Sequence, residues 1–409
     1  MHDLSSSRRE FLRMIGLGGL TIAGADALSA CGPVERAATQ VPGTTATPSG
    51  ASADGKALRI GYLPITDATP LLLAHAKGLY AAEGLRVERP TLFRGWSQLV
   101  EAFQARQVDL VHILMPVAIW MRFGQQFPVK LVAWDHTDGS ALTVGANIAG
   151  LRDLAGKTVA VPFWYSIHNL VVQLMLRQAG LTPVTKGEPA ASAGTVKLVV
   201  MAPPDMPPAL STGAIAGYIV ADPFNAIAEV NNVGRIQRFT GDIWLNHACC
   251  VVVMHEDDTV RRPEWVQAAV TAVAKAQLFA RQNRAETARL LSKEGGNYLP
   301  QPAAVVERAL THYDHAEYTR SGAIQHPEWG NHRIDFQPFP FPSYTAELVK
   351  LLKETLVEGD NAFLQTLDPA QAHGLLVDDR FARAAITAAG GPAAFDLSAD
   401  LSRTERIAV

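Results

Sequence analysis

Imidazole, thiol, carboxylate and aromatic side chains gather in this chain at a few junctions where a short apolar run stops. The first is Tyr62-Leu63-Pro64-Ile65-Thr66-Asp67-Ala68-Thr69-Pro70, the second Pro162-Phe163-Trp164-Tyr165-Ser166-Ile167-His168-Asn169, the third Val220-Ala221-Asp222-Pro223-Phe224-Asn225. Trp96, the stretch His112 to Pro116, and Asp242-Ile243-Trp244-Leu245-Asn246-His247 join them. Such groups suit binding: hydroxyls, carboxylates and imidazoles give a few directed hydrogen bonds, and aromatic faces give apolar contact to a small molecule. The candidate ligand-binding residues are therefore Tyr62, Thr66, Asp67, Trp96, His112, Trp164, Ser166, His168, Asp222, Phe224, Asn225, Trp244 and His247.

Stronger chemistry is harder to assemble from spacing. Gly156-Lys157-Thr158 with Gly150 upstream has one residue too many for a phosphate loop, and it precedes an apolar run that such a loop must follow. It reads as a turn into a strand. His312 and His315 stand at i and i+3 with no thiol or carboxylate completing a set, and His255-Glu256-Asp257-Asp258 reads as a solvated acidic turn, so no metal or cofactor is expected. No Gly-x-Ser-x-Gly elbow is present, which leaves His247 and Cys250 as the foothold for any catalysis. Cys249 and Cys250, adjacent on a strand, would point to opposite faces and read as two small buried side chains.

Elements that could position these groups follow from the hydrophobic pattern. Short β-rich runs at 58–63, 85–90, 110–114, 129–134, 158–161, 196–201, 217–220 and 249–254 alternate with amphipathic stretches, the pattern of a parallel sheet flanked by helices. The junctions then fall beyond the carboxyl ends of strands, where loops converge and helix N-termini present free N–H groups. Pro70 fits the first turn of a helix ending before Gly78, and Ser166 fits the N-cap of one running to Gly180. Long helical stretches cover 264–281, 285–291, 303–312 and 346–356, while the Pro- and aromatic-rich stretch 326–343 reads as an ordered loop laid over another surface.

The N-terminus carries Ser7-Arg8-Arg9-Glu10-Phe11-Leu12-Arg13, a short Gly-rich apolar run, and Leu28-Ser29-Ala30-Cys31. This order reads as a twin-arginine export signal over 1–30 that ends in a lipobox, with Cys31 as the lipid-bearing residue. Residues 31–56 have the composition of a flexible linker. With a net charge of −3 and no basic cluster beyond the signal, nothing points to nucleic acid. The 48% hydrophobic content fits a well-cored body.

The junctions also carry a family likeness. The stretch 61–70 with Ala74, Lys77-Gly78 and Glu83-Gly84-Leu85, then Asp109 to Pro116, Leu154 to Pro162, Ser166 to Leu170, Ala221 to Asn225 and Asp242-Ile243-Trp244, resembles in order the blocks of ABC-importer substrate-binding proteins of the nitrate/sulfonate/bicarbonate group. The resemblance implies a two-lobed, periplasmic-binding-protein-like fold of type II with two hinge crossovers: lobe I over 57–142, lobe II over 143–250, and 251–409 returning to lobe I. It places Trp96, His168 and Trp244 at ligand-lining positions. It implies an exported, lipid-anchored receptor, not an enzyme, that presents a small-molecule solute to an ABC permease and ATPase. Leu245 stands where nitrate binders of the group place a cation and bicarbonate binders an acid. Nitrate-like, sulfonate-like or taurine-like solutes therefore stand beside heterocycles such as pyrimidine precursors and flavins, and a pyrimidine-synthesis-like enzyme on the same fold remains the other alternative.

Overall fold

The computed structural model describes residues 55–409. The twin-arginine signal, the lipobox with Cys31 and nearly all of the linker lie outside the described residues. No helix among the described residues is long and apolar enough to cross a membrane.

Two mixed sheets organise the described chain. The first has the order β2-β1-β3-β12-β4, from Thr91–Leu92, Ile60–Tyr62, Leu110–Leu114, Cys250–His255 and Val129–Trp134. The second has the order β11-β6-β10-β7-β9-β8, from Arg235–Phe239, Ser140–Val144, Gly217–Ala221, Thr158–Val161, Thr195–Val200 and Thr182–Val184. A two-stranded ribbon pairs β5, Thr137–Asp138, with β13, Ile334–Asp335. The fold is α/β as the pattern implies, but the sheets are not wholly parallel, and the connectivity explains why. The chain leaves the first sheet at the carboxyl end of β4 and re-enters at that same edge. β12 must therefore run antiparallel between β3 and β4, pairing Cys250 with Leu114 and Val251 with Trp134. By the same logic β6 enters the second sheet at its carboxyl edge and runs antiparallel to β10, pairing Ser140 with Ala221.

Two crossovers result, residues 135–139 and 240–249, with the carboxyl ends of the parallel strands facing them. Ser140 already belongs to the second sheet, a little before the expected lobe boundary at 142/143. The expected strand over 85–90 is reduced to a bridge at Val87, and β2 forms just after it. Ser166 caps the helix Ile167–Gln178 as its sequence predicts: its backbone is extended and its Oγ accepts from Asn169 N at 3.0 Å. Gly156 adopts φ +75°, and a Cβ there would meet Ala191 N at 2.8 Å, so the Gly-Lys-Thr segment is the turn into β7.

The helix Pro263–Gln282 lies in the core, packed on Thr69–Ala76 and Arg380–Ala388. Beyond it the chain straps itself over the second crossover. Leu245 N donates to Arg406 O at 3.0 Å, Ala408 N to Ile243 O at 2.9 Å, and Trp244 Nε1 to Glu405 Oε2 at 2.8 Å. In the aromatic-rich stretch Phe336, Phe339 and Phe341 are buried, while Trp329 is half-buried.

Candidate functional site at the crossovers

Each crossover carries reactive side chains inward. The first contributes Asp135, His136 and Asp138, directly after the apolar strand β4; the second contributes His247 and Cys249, and Cys250 opens β12, so the cysteines are not neighbours within one strand and, contrary to the expected opposite faces, both thiols reach this cluster. Asp67 joins them from the turn after β1, His112 from β3 and His168 from the first turn of the Ser166-capped helix. All are buried, each at 1% exposure or less, and both cysteines are free.

The hydrogen bonds fix several protons. Thr240 Oγ1 donates to Ser140 O at 3.0 Å, so the 2.8 Å contact between Thr240 Oγ1 and His247 Nε2 requires His247 to donate from Nε2. Its Nδ1 is a buried, unpartnered acceptor. His112 Nε2 accepts from Leu63 N at 2.9 Å, so the neutral ring carries its proton on Nδ1, 3.9 Å from Asp135 Oδ2. Burial drives both His112 and His247 down to about 3, so both rings are uncharged near neutrality.

His136 is the exception. Its Nε2 accepts from Cys250 N at 3.1 Å and lies 2.9 Å from Asp67 Oδ2. One nitrogen cannot offer a lone pair to the amide and a proton to the carboxylate, and the Asp67 contact has no hydrogen-bond geometry. Burial opposes a charge on His136, yet the adjacent Asp67 carboxylate and Cys249 raise its pKa well above the imidazole range. Burial raises Asp67 to about 6 against the pull of His136, and raises Asp135 and Asp138 well above the usual carboxylate range. Burial also pushes thiols up, as at Cys250. At Cys249 that push is outweighed by hydrogen bonding with Cys250 and by His168 and His136, which hold it well below its ordinary value. Cys249 Sγ lies 3.8 Å from His168 Nε2, which also meets Ser140 Oγ at 2.9 Å.

Of the residues proposed from sequence, the structure brings Asp67, His112, His168 and His247 into this cluster, and Trp96 packs on His112 with ring centroids 5.7 Å apart. Ser166 serves as the cap behind His168. Thr66 joins the two sheets by donating to Asp222 O from both N and Oγ1, at 2.7 and 3.0 Å. The others take different partners: Tyr62 donates to Tyr298 O, Asn225 bonds Thr143 and Val220 O, Phe224 O accepts from Tyr218, and Trp164 is half-buried. Trp244 lies against Tyr344 and Glu405, and the Asp222 carboxylate pairs with Arg333. Sequence reading missed Asp135, His136 and Asp138. The available signal was the polar run Asp-His-Thr-Asp directly after β4, matched by His247 and the cysteines before β12.

The cluster has the donors to hold a ligand or an ion. Oxygen, nitrogen and sulfur donors converge in a dry space, and among the described residues no lysine or arginine pairs with Asp67, Asp135 or Asp138.

Comparison with known proteins fits this architecture. The chain is 26% identical over 306 residues to a nitrate/nitrite-binding protein of Synechococcus elongatus, a match covering 67% of this chain and 66% of that one. The chain thus spans just under two thirds of that relative's length. The periplasmic nitrate-binding protein of Synechocystis superposes with a TM-score of 0.67 at 19% identity, over 85% of this chain and 91% of the other. The periplasmic aliphatic sulphonate-binding protein of Escherichia coli gives 0.53 at 19% identity, over 73% of this chain and 91% of that one. Both likenesses show a common fold. A model of the NMT1-like family matches residues 51–293, more than half of the chain, and the chain belongs to that family.

Proposed function

We propose that this chain is the extracytoplasmic solute-binding component of an ABC importer, exported and held to the membrane through a lipid on Cys31. It binds a small solute at the crossovers and, once closed, docks on the permease and ATPase components. Binding without catalysis is its role. The observation that carries this reading is the convergence of His112, His168, His247 and Asp67 on the two crossovers that join the sheets. Rotation of the sheets about two crossovers opens or encloses whatever those groups hold, and a partner that recognises only the closed form reads occupancy. The names of the relatives, nitrate/nitrite binding and aliphatic sulphonate binding, support the same class of activity.

The solute class follows from charge. A bare anion needs a cation or several N–H donors to offset its desolvation, whereas this cluster holds three carboxylates with no paired lysine or arginine among the described residues. The cationic tendency of His136 is answered by Asp67 beside it, so the cluster favours a solute bearing hydrogen-bond donors over nitrate itself. A thermal-shift screen of the purified chain against nitrate, bicarbonate, sulfonates, pyrimidines and flavins tests this. A specific solute raises the midpoint by several degrees near saturation. Stabilisation by nitrate alone would overturn the charge argument, and stabilisation by none would count against a receptor for these classes. Anchoring is tested by fractionation: Cys31→Ser should release the chain from membranes while leaving solute binding intact.

A further inference from the structure

We infer that Asp67, His136, Cys249 and Cys250 form a binding site for one thiophilic divalent metal ion, zinc or a chemical equivalent, where the two crossovers meet the turn after β1. The inference needs no importer, and a failed solute screen leaves it untouched.

Ligand-capable atoms of these four side chains all lie within 4.8 Å of one another, and all four residues are buried. Zinc bonds of about 2.0 to 2.3 Å place tetrahedral ligand atoms about 3.6 Å apart. The widest pair therefore has to close by about 1 Å, within the reach of side-chain adjustment. The donor set, two sulfurs with one imidazole and one carboxylate, selects borderline-soft ions over magnesium or calcium, which prefer oxygen cages. The space among four atoms so close admits an ion and not an organic body.

A second observation is independent of the count of donors. Asp67 is fully buried, and its Oδ2 lies 2.9 Å from a His136 nitrogen whose lone pair is already offered to Cys250 N–H, so this close contact is not satisfied by a well-formed hydrogen bond. A cation beside this contact resolves what a single proton cannot: once the ring gives up its hydrogen bond from Cys250 N, the carboxylate and the freed Nε2 lone pair can both bind the ion. His136 Nδ1 is also buried without a partner. Each cysteine that ligates gives its thiol proton to solvent, so binding releases protons and weakens as pH falls. Three separate segments supply the ligands: the turn after β1, the first crossover, and the second crossover running into β12. An ion here ties both crossovers to the first sheet.

The test titrates Co2+ into the full chain, reduced and stripped of metal. One equivalent should bind and produce thiolate-to-cobalt charge-transfer absorption with the ligand-field bands of tetrahedral cobalt. Zn2+ should displace it, and Mg2+ and Ca2+ should not. Loss of supporting residues around a metal commonly costs 10–100-fold in affinity, so removal of direct ligands should cost at least about 100-fold. Cys249→Ser with Cys250→Ser should abolish the charge-transfer band and weaken zinc binding by that factor, and His136→Gln should weaken it comparably. Should the double variant not fold, X-ray absorption of the zinc-loaded wild-type chain counts the sulfurs directly, and two are expected. Absence of charge-transfer absorption in reduced wild-type protein, unchanged zinc affinity in the folded double variant, or a zinc shell without sulfur overturns the assignment.

Discussion

Two buried polar assemblies in this molecule are built to opposite rules. Around Arg333 every group is answered: Nε and Nη2 donate to Asp222 at 2.6 and 3.1 Å, and Nη1 donates to Glu229 at 3.0 Å. Arg308 and Tyr318 complete Glu229, and Ala226 N donates to Asp222. At the crossovers, by contrast, both oxygens of Asp135 and the Nδ1 atoms of His112 and His168 lack hydrogen-bond partners, and Asp67 meets a His136 nitrogen that already accepts from Cys250 N. A fully paired network holds architecture in place. A concentration of unanswered donors and acceptors in an equally dry place marks groups kept for something that arrives. The contrast also separates two aspartates that look alike in the sequence, Asp67 and Asp222, each near a proline after a strand.

Mutation should expose this difference, most strongly at Arg333. Arg333→Ala strands the Asp222 carboxylate and removes a partner of Glu229, and breaking a buried pair in this way costs about 3–5 kcal/mol. Urea unfolding at pH 7 measures it; a loss under 1 kcal/mol would dissolve the comparison from the architectural side.

Acid should act through the same network. Burial works to raise the Glu229 pKa, but Arg333, Arg308 and Tyr318 together hold it below its ordinary value. A depressed folded-state pKa means stability that is fully present above the unfolded carboxylate range, near pH 4.3, and lost as pH falls through the folded value. Denaturation midpoints followed from pH 7 to 3 should fall. Glu229→Gln, destabilised at neutral pH, should show a shallower decline, and an identical slope would remove Glu229 as the titrating group.

Ser166→Ala tests the cap behind His168. The loss of one side-chain acceptor at a helix start costs about 1 kcal/mol, and calorimetry should register it as a small drop in melting temperature. The smallest effect is expected at Asp67. Burial works against the Asp67 charge, and Asp67→Asn keeps the size of the side chain while letting the neighbouring His136 become neutral, so in the metal-free, solute-free protein it should change stability by no more than about 1 kcal/mol. A large loss there would place Asp67 with Asp222 among the architectural groups.

What the sequence discloses follows the range of the physics involved. Local signals survive: Ser166 as a cap, Gly156 as a turn and the apolar runs at 110–114, 129–134 and 158–161 all appear at their expected places, because each depends on its near neighbours. β11 was hidden because Arg235-Ile236-Gln237-Arg238-Phe239 alternates at a sheet edge and reads as polar. β6 was hidden inside a stretch that the expected lobe boundary divided. The cluster was only half legible. Asp67, His112, His168 and His247 sit at strand ends that a parallel-sheet pattern nominates. Asp135, His136 and Asp138 lie on a crossover, an element defined by where the chain goes next. Spacing rules search within one helix or loop, so they test His312 with His315, which the structure puts on different elements, the C-cap of one helix and the first residue of the next. Donors drawn from residues 67, 136, 249 and 250 share no such period.

The strap formed by Glu405 to Ala408 gives the second crossover a clock. Two backbone hydrogen bonds and the Trp244–Ile407 bridge tie that segment to residues 243–245. Any change in the backbone of this crossover must therefore carry the strap along or first release it. Amide hydrogens of Leu245 and Ala408 exchange with solvent only when that release occurs, so their exchange rates report how often the crossover is let go. A bound ion or solute that holds the crossovers still should slow both amides together, at sites that touch neither.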